Sequence, residues 1–483
     1  MNIKLVYKFI GRVMAVEALA MLLPFMLAIY DKSGDAHGFI ISIGLLGMLC
    51  LPGFFIKEDR SDFYAKEGIA IVGISWIVLS FFGGLPYYFS GRFGGLLNSF
   101  FESVSGFTTT GITILYDLES VSRAINLWRH ISLFFGGMGV LVFTLALLPK
   151  AKGSVSHIMR AESPGPVLSR LAPKLSDTSK LLYIIYIGLT VMLLIASYIA
   201  GMSVFDALCH SLSTIATGGF STLNAGLCHY QNSGMEWVYI FSMLISAVNF
   251  TLIFNLLRGE TGLILKDEEF KLYIGVIVFS AIMVIADLTI HNLYNIGDAL
   301  RSGVFHVVSI VSTTGLVTQD INLWPEFSKT IMVVLMFFGG CMGSTAGGIK
   351  MIRMLIMFKI FSREVSKVIH PREVKSLKIS GKIANESMVN SVKGYFIIYM
   401  FLFMALMLAV SVDSLSFESN FSAIAASLNN VGITFGQLNG LGSMNSYSGF
   451  SKVVLCIAML MGRLEIFPIL LLISPSFWRK INI

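Results

Sequence analysis

The chain of 483 residues is 55% hydrophobic and only 13% charged, with a mean hydropathy of +0.78 and a formal net charge of +7. Soluble domains carry about 25% charged residues, so this composition excludes a soluble globular protein and points to one that lies mostly in lipid. The five cysteines are scattered and form no CxxC pair, which excludes a disulfide framework or a thiolate metal site.

Lys4, Lys8 and Arg12 precede a long apolar run that carries Glu17 and is followed by a second apolar span at about 38–56. That arrangement predicts two transmembrane helices rather than a cleaved signal. After the charged loop KEDRSDFYAKEG (57–68) the chain settles into a period: a long apolar span, a shorter apolar segment, a Gly/Thr stretch, then another span. The units read 69–89, 95–107 and 125–148; 181–200, 204–215 and 235–257; 271–290, 297–312 and 329–361; 390–411, 418–428 and 451–473. Spans near 20 residues suit the bilayer, whereas segments of roughly 11–16 residues are too short to cross it and predict re-entrant helices. The expected architecture is an all-α membrane protein of ten transmembrane helices. It has two N-terminal helices with their loop (1–68) and four pseudo-symmetric helix–re-entrant loop–helix units around a central ion pore (69–150, 151–258, 259–370, and 371–483 with a cytoplasmic linker).

On these spans, 27 of the 35 Lys and Arg residues fall on the side that holds both termini, 7 on the other, and Arg463 inside a span. The positive-inside rule then makes both termini cytoplasmic. The basic surplus is a topology signal and needs no nucleic acid as partner.

The short segments end VSGFTTTG (104–111), SLSTIATG (211–218), VSIVSTTG (308–315) and ASLNNVG (426–432). LFFGGMG (133–139) and MFFGGCMG (336–343) repeat beyond the first and third. Non-helical backbone at membrane depth is tolerated only where it is buried or lines an aqueous path. Four such stretches about one axis form a ring of carbonyls and hydroxyls, an oxygen cage for a dehydrated monovalent cation. The candidate potassium-binding residues are Thr109, Thr110 and Gly111; Ala216, Thr217 and Gly218; Thr313, Thr314 and Gly315; and Asn430, Val431 and Gly432. The ring is only pseudo-symmetric, because the fourth loop lacks the threonine pair and the second carries an extra Gly219. Glu102, Asp206, Asp298 and Glu418 stand at the starts of the four short segments, where they either complement helix dipoles or draw cations to the outer mouth.

With these four loops, the two extra N-terminal helices and the linker HPREVKSLKISGKIANESMVNSVKGYF (370–396), the chain resembles the Trk/Ktr superfamily of potassium transporters, and its TrkH-type pore subunits most closely. The resemblance covers essentially the whole chain. It implies potassium uptake across the cell inner membrane, a homodimer with one pore per protomer, and a cytoplasmic TrkA-type nucleotide-binding ring as regulator. No cofactor is expected on this chain, only K⁺ as the transported ion.

The second span of the third unit is too long, and its middle reads GGCMGSTAGG (339–348). Five glycines there predict a broken helix with an intramembrane loop. GSTAGGIK is not a phosphate-binding loop, since Ile349 stands where the Walker pattern needs lysine. The resemblance implies that the loop lies beneath the filter as a gate, with Gly343 and Gly347 in it, Lys350 just past it, and Arg463 as a positive barrier beside it. The competing readings are a packing kink for the loop, an ion pair with another helix for Arg463, and a snorkelling anchor for Lys350. At the level of function the alternative is a sodium- or proton-coupled symporter of the same fold. A membrane enzyme is not expected, because no HExxH, GxSxG or paired membrane aspartates occur.

Overall fold

The computed structural model describes residues 2–56, 65–139, 175–372, 376–438 and 443–478. Apart from a short antiparallel hairpin that pairs Lys378–Ile379 with Lys382–Ile383, the regular elements among these residues are helices. Two long helices come first, α1 (Ile3–Tyr30) and α2 (Ala36–Phe55). Asn2 starts α1 by accepting the Leu5 amide on its side chain.

Four units follow. The first holds α3 (Ala65–Gly83), α4 (Leu96–Phe107) and α5 (Arg123–Gly137). The second holds α6 (Leu175–Ile199), α7 (Val204–Ile215), α8 (Ser233–Ser246) and α9 (Phe250–Leu257). The third holds α10 (Glu268–Ile290), α11 (Ile296–Val311), α12 (Glu326–Leu335) and α13 (Met351–Ile369). The fourth holds α14 (Glu386–Val410), α15 (Phe417–Asn429), α16 (Gly449–Arg463) and α17 (Phe467–Ile473). Among the described residues, six helices are long and apolar enough to cross a membrane, and the bent pair α8–α9 makes a seventh if taken as one span.

The distribution of apolar surface follows from the solvent. Helices α6, α10 and α14 turn faces such as Ile187, Val191 and Ile195, Phe279 and Ile282, and Ile397, Phe401 and Met404 outward. Helices apolar on every side belong in lipid. The four short helices α4, α7, α11 and α15 lie inside instead, and residues 103–107, 213–215, 305–311 and 422–429 at or near their C-terminal ends are all buried. Ser203, Asn295 and Ser416 cap the last three by accepting the amides of Asp206, Asp298 and Ser419.

Two expectations change here. The second spans at 235–257 and 451–473 are not continuous helices. Helices α8 and α9 meet at 104° around Ala247, Val248 and Asn249, where the Asn249 side chain starts α9 by accepting the Thr251 amide. Helix α16 stops at Arg463, and Glu465 and Ile466 turn left-handed, with φ of +56° and +71°, before α17 begins. In the first unit α5 ends at Gly137, and 140–150 lies outside the described residues.

The four acidic residues also part company. Asp206, Asp298 and Glu418 sit in first turns, as the dipole favours. Glu102 lies deep in α4, fully buried, and receives Arg129 Nε at 2.8 Å together with the Ile114 amide at 3.0 Å. Arg129 also donates to Asn126 Oδ1 at 3.0 Å and to the Ser221 carbonyl of the second unit at 3.3 Å. Removing one partner of a fully desolvated ion pair costs about 3–5 kcal/mol. Arg129→Gln is therefore expected to lower the thermal stability of the detergent-solubilised protein by about that much, and Glu102→Gln added to it to recover part of the loss. Equal stability of wild type and Arg129→Gln in a thermal unfolding assay would contradict this role.

Candidate functional site

All four interior helices end the same way. The residue that turns the chain out of the helix is left-handed: φ is +55° at Thr109, +56° at Thr217, +56° at Thr313 and +53° at Asn430. The next amide reaches back into the helix. Thr110 donates to the Ser105 carbonyl, Gly218 to Ser213 and Thr314 to Ser309, each at 2.9 Å, and Val431 to Ala426 at 3.0 Å. This six-to-one closure is a common helix ending, but its left-handed position is usually glycine. Threonine or asparagine there costs roughly 1–2 kcal/mol. Each is followed two residues on by a glycine at positive φ: +83° at Gly111, +72° at Gly219, +75° at Gly315 and +83° at Gly432.

The second repeat is thus displaced by one residue from its sequence alignment. Gly219, not Gly218, stands with Gly111, Gly315 and Gly432, while Gly218 stands with Thr110, Thr314 and Val431. Ala216 stands with Thr108, Ser312 and Asn429. The glycines need their lack of a side chain because the loops pack directly on one another. A Cβ on Gly111 would lie 1.9 Å from the Gly218 carbonyl oxygen, and one on Gly219 would lie 2.0 Å from that of Thr314. On Gly315 it would lie 2.1 Å from the Val431 oxygen, and on Gly432 2.3 Å from that of Thr110. Each repeat touches the next through the same pair of positions, and the fourth closes on the first. Four carbonyls therefore form a closed ring. The four glycines are partly accessible although the residues before each of them are buried.

The hydroxyls behave differently from the carbonyls. Thr110 Oγ1 is 2.8 Å from Thr108 Oγ1 and accepts from Asn430 Nδ2 at 2.8 Å, and Thr314 Oγ1 is 2.8 Å from Ser312 Oγ. Thr217 donates to the Ala216 carbonyl at 2.7 Å. These side chains brace the loops from within the protein, whereas the carbonyls of Thr110, Gly218, Thr314 and Val431 face the neighbouring glycines.

The long third-unit span breaks between α12 and α13. Its two limbs close on each other, with the Gly339 amide on the Ile349 carbonyl at 2.9 Å and the Met351 amide on that of Gly340 at 3.1 Å. The Cys341 amide donates to the Ala247 carbonyl at 2.8 Å, and Gly343, at φ +77°, accepts the Phe250 amide at 3.1 Å, so the loop seats in the bend between α8 and α9. Its far end meets the ends of the interior helices. Thr345 Oγ1 lies 3.0 Å from the Ile215 carbonyl of the second repeat. The Gly347 amide donates to Thr313 Oγ1 of the third at 2.7 Å. A Cβ on Gly347 would lie 2.8 Å from the Asn429 carbonyl of the fourth. The loop thus touches the ends of three of the four interior helices.

Arg463 supplies the fourth contact. Its Nη1 donates to Thr109 Oγ1 of the first repeat at 3.2 Å and to the Thr345 carbonyl of the loop at 2.9 Å. Its Nη2 donates to the carbonyls of Gly136 and Gly137, the latter at 2.6 Å. Those are terminal carbonyls of α5, which have no intrahelical partner and carry the negative end of the helix dipole. Glu465 pairs with Arg353 of α13 rather than with Arg463. Lys350 turns back into the loop and donates to the Ala346 carbonyl. Lys350 and Arg463 thus both donate to loop carbonyls just before Gly347, whereas Gly343 sits apart from them in the bend between α8 and α9.

Sequence reading missed the register of Gly219 and the contacts of Thr345, Asn249 and Glu269 with the loop. A signal for the first exists: Ser105, Ser213, Ser309 and Ala426 each precede the turning glycine by six residues, whereas TG in ATGGF does not fit that spacing. The other contacts join distant parts of the chain, and no local pattern marks them.

Residues 36–480 match the sequence pattern of the TrkH family, described as cation transport proteins. The chain is 35% identical to the Trk system potassium uptake protein TrkH of Salmonella typhimurium, over 99% of this chain and 100% of that protein. It is 32% identical to the Trk system potassium uptake protein TrkG of Escherichia coli, over 99% of both. The crystal structure of the potassium transporter TrkH from Vibrio parahaemolyticus superposes with a TM-score of 0.88 at 33% identity, covering 99% of this chain and 100% of that one. The repeated units, the interior loops and these likenesses agree, and the chain belongs to the TrkH family, a family of transporters and not of enzymes.

Proposed function

We propose that this chain conducts potassium into the cell along the axis of its four repeats, with the loops as a selectivity filter. The observation that carries the reading is the closed ring of Thr110, Gly218, Thr314 and Val431 carbonyls packed against partly accessible glycines. Backbone oxygens replace the hydration shell of a monovalent cation yet hold it weakly enough to release it. The names of the relatives, potassium uptake proteins, support K⁺ as the cargo. A sodium- or proton-coupled symporter of the same fold has no specific observation in its favour.

In this reading loop 339–349 is the gate, and Arg463 both fastens it and sets a positive charge under the ring. The chain sits in the inner membrane with both termini cytoplasmic, as its basic loops direct. It works as a homodimer with a cytoplasmic TrkA-type nucleotide-binding subunit, a partnership that the name "Trk system" supports. That subunit acts on α13, which continues directly from the loop and carries Lys367 on its last turn.

Three outcomes test the proposal. Gly111→Ser and Gly219→Ser should each narrow the K⁺/Na⁺ permeability ratio by about tenfold, equivalent to ~1.4 kcal/mol. Gly218→Ala should do less, because its counterparts Thr110, Thr314 and Val431 already carry side chains. Equal damage at Gly218 and Gly219 would overturn the register. Deleting residues 343–347 should raise basal rubidium flux into proteoliposomes several-fold, and Arg463→Ala should act in the same direction. Wild-type flux in two monodisperse variants would favour a packing kink.

Third, a TrkA-type subunit should co-purify with the chain, and ATP or a nicotinamide nucleotide should change flux only in that complex. Charge reversal at Lys367 and Arg372 should weaken the association, most at low salt where screening is least. Lys375, the third basic residue in this stretch, lies outside the described residues. Full nucleotide control of the isolated chain would contradict the division of labour.

A further inference from the structure

Helix α10 opens with Asp267 as cap, followed by Glu268 and Glu269. Acidic residues in a first turn ordinarily need no explanation beyond the dipole. Glu269 does something else. It is buried, at 8% exposure, and its Oε1 accepts two amides that belong to another part of the chain. One is Met342, on the inward limb of loop 339–349, at 2.7 Å; the other is Ile352, in the first turn of α13, at 3.0 Å. A single carboxylate oxygen thus holds both sides of the loop. The Ile352 amide is among the donors that a helix start leaves without an intrahelical partner, and the Met342 amide sits in irregular backbone. Without Glu269 neither keeps this acceptor.

The neighbouring residue extends the grip. Glu268 pairs with Lys359, seven residues beyond Ile352 on α13, and Lys359 Nζ also donates to the Lys378 carbonyl of the short hairpin at 2.7 Å. A displacement of α13 or of that hairpin therefore acts on the same helix start that fastens the loop.

We propose that Glu269 is the latch of the loop: a positioning residue that holds 339–349 across the axis by bonding the amides on both its sides. This rests on the reading of that loop as the gate. Opening then consists of moving the Ile352 and Met342 amides off Glu269, and a cytoplasmic partner that shifts α13 does this directly.

The test reads flux and loop position together. Cys341 is a fully buried thiol of the loop, and Cys228, the exposed cysteine among the described residues, is removed by Cys228→Ser. In that background, labelling by a charged methanethiosulfonate reports the loop independently of flux. Glu269→Ala should raise both rubidium flux and the Cys341 labelling rate by on the order of tenfold, the equilibrium shift expected from losing a charge-assisted hydrogen bond. Glu269→Gln keeps an acceptor oxygen but not its charge and should fall between wild type and Glu269→Ala, which a role resting on the charge alone would not predict. Where Glu269→Ala aggregates, Glu269→Asp carries the test, since it withdraws the oxygen by one methylene and should raise both readouts. If deleting 343–347 raises flux while the folded Glu269 variants keep wild-type flux and labelling, the latch fails and the gate stands. If the deletion itself leaves flux unchanged, the gate reading fails first.

Discussion

Backbone that leaves helical geometry at membrane depth must still find partners for its N–H and C=O groups, because each unpaired group there costs several kcal/mol. Everything around the axis of this protein answers that constraint. Four short helices end inside the protein, and each end returns one amide to its own last turn. What remains are carbonyls, and the four loops stack so closely that only glycine fits where each meets the next. In the proposed reading, those carbonyl oxygens are the ligands that replace a cation's hydration shell. The threonine and asparagine residues held left-handed store strain in each loop; Asn430 donates across to Thr110 of the first repeat, and Thr109 accepts from Arg463 of the fourth.

The same constraint explains why the helices behind the loops are broken. A helix that ran straight past the ring would keep its backbone groups to itself. The breaks between α8 and α9 and between α16 and α17 instead offer a carbonyl and a side chain to the loop between α12 and α13, and the end of α5 offers carbonyls to Arg463. Loop 339–349 uses those groups as its seat, and Arg463 gathers carbonyls from α5 and from the loop into one set of contacts. The seat combines these hydrogen bonds with apolar contacts, since Cys341, Ala346 and Ile349 are buried in the same core.

Much of this was readable in the chain, and the limits have physical causes. Apolar spans, short re-entrant segments and the fourfold recurrence follow from length and hydropathy, which lipid enforces strongly. The loop in the third unit was readable because five glycines in ten residues cannot sustain a helix. The breaks at 247–249 and 464–466 were not, since Asn249 looks unremarkable and Arg463 stands out only as a charge until their side chains are seen bonding backbone groups. Gly219 was misplaced because two adjacent glycines leave the register open, and only the left-handed turn at Thr217 settles it. Glu269 carried no signal beyond an acidic helix start, as its partners are 73 and 83 residues away.

The most direct measurement is anomalous diffraction from crystals of this protein soaked in thallium or rubidium ions. The account predicts a peak on the pseudo-fourfold axis, within coordinating distance of the Thr110, Gly218, Thr314 and Val431 carbonyl oxygens. An axis empty at that level, in crystals that bind the ion elsewhere, would contradict it.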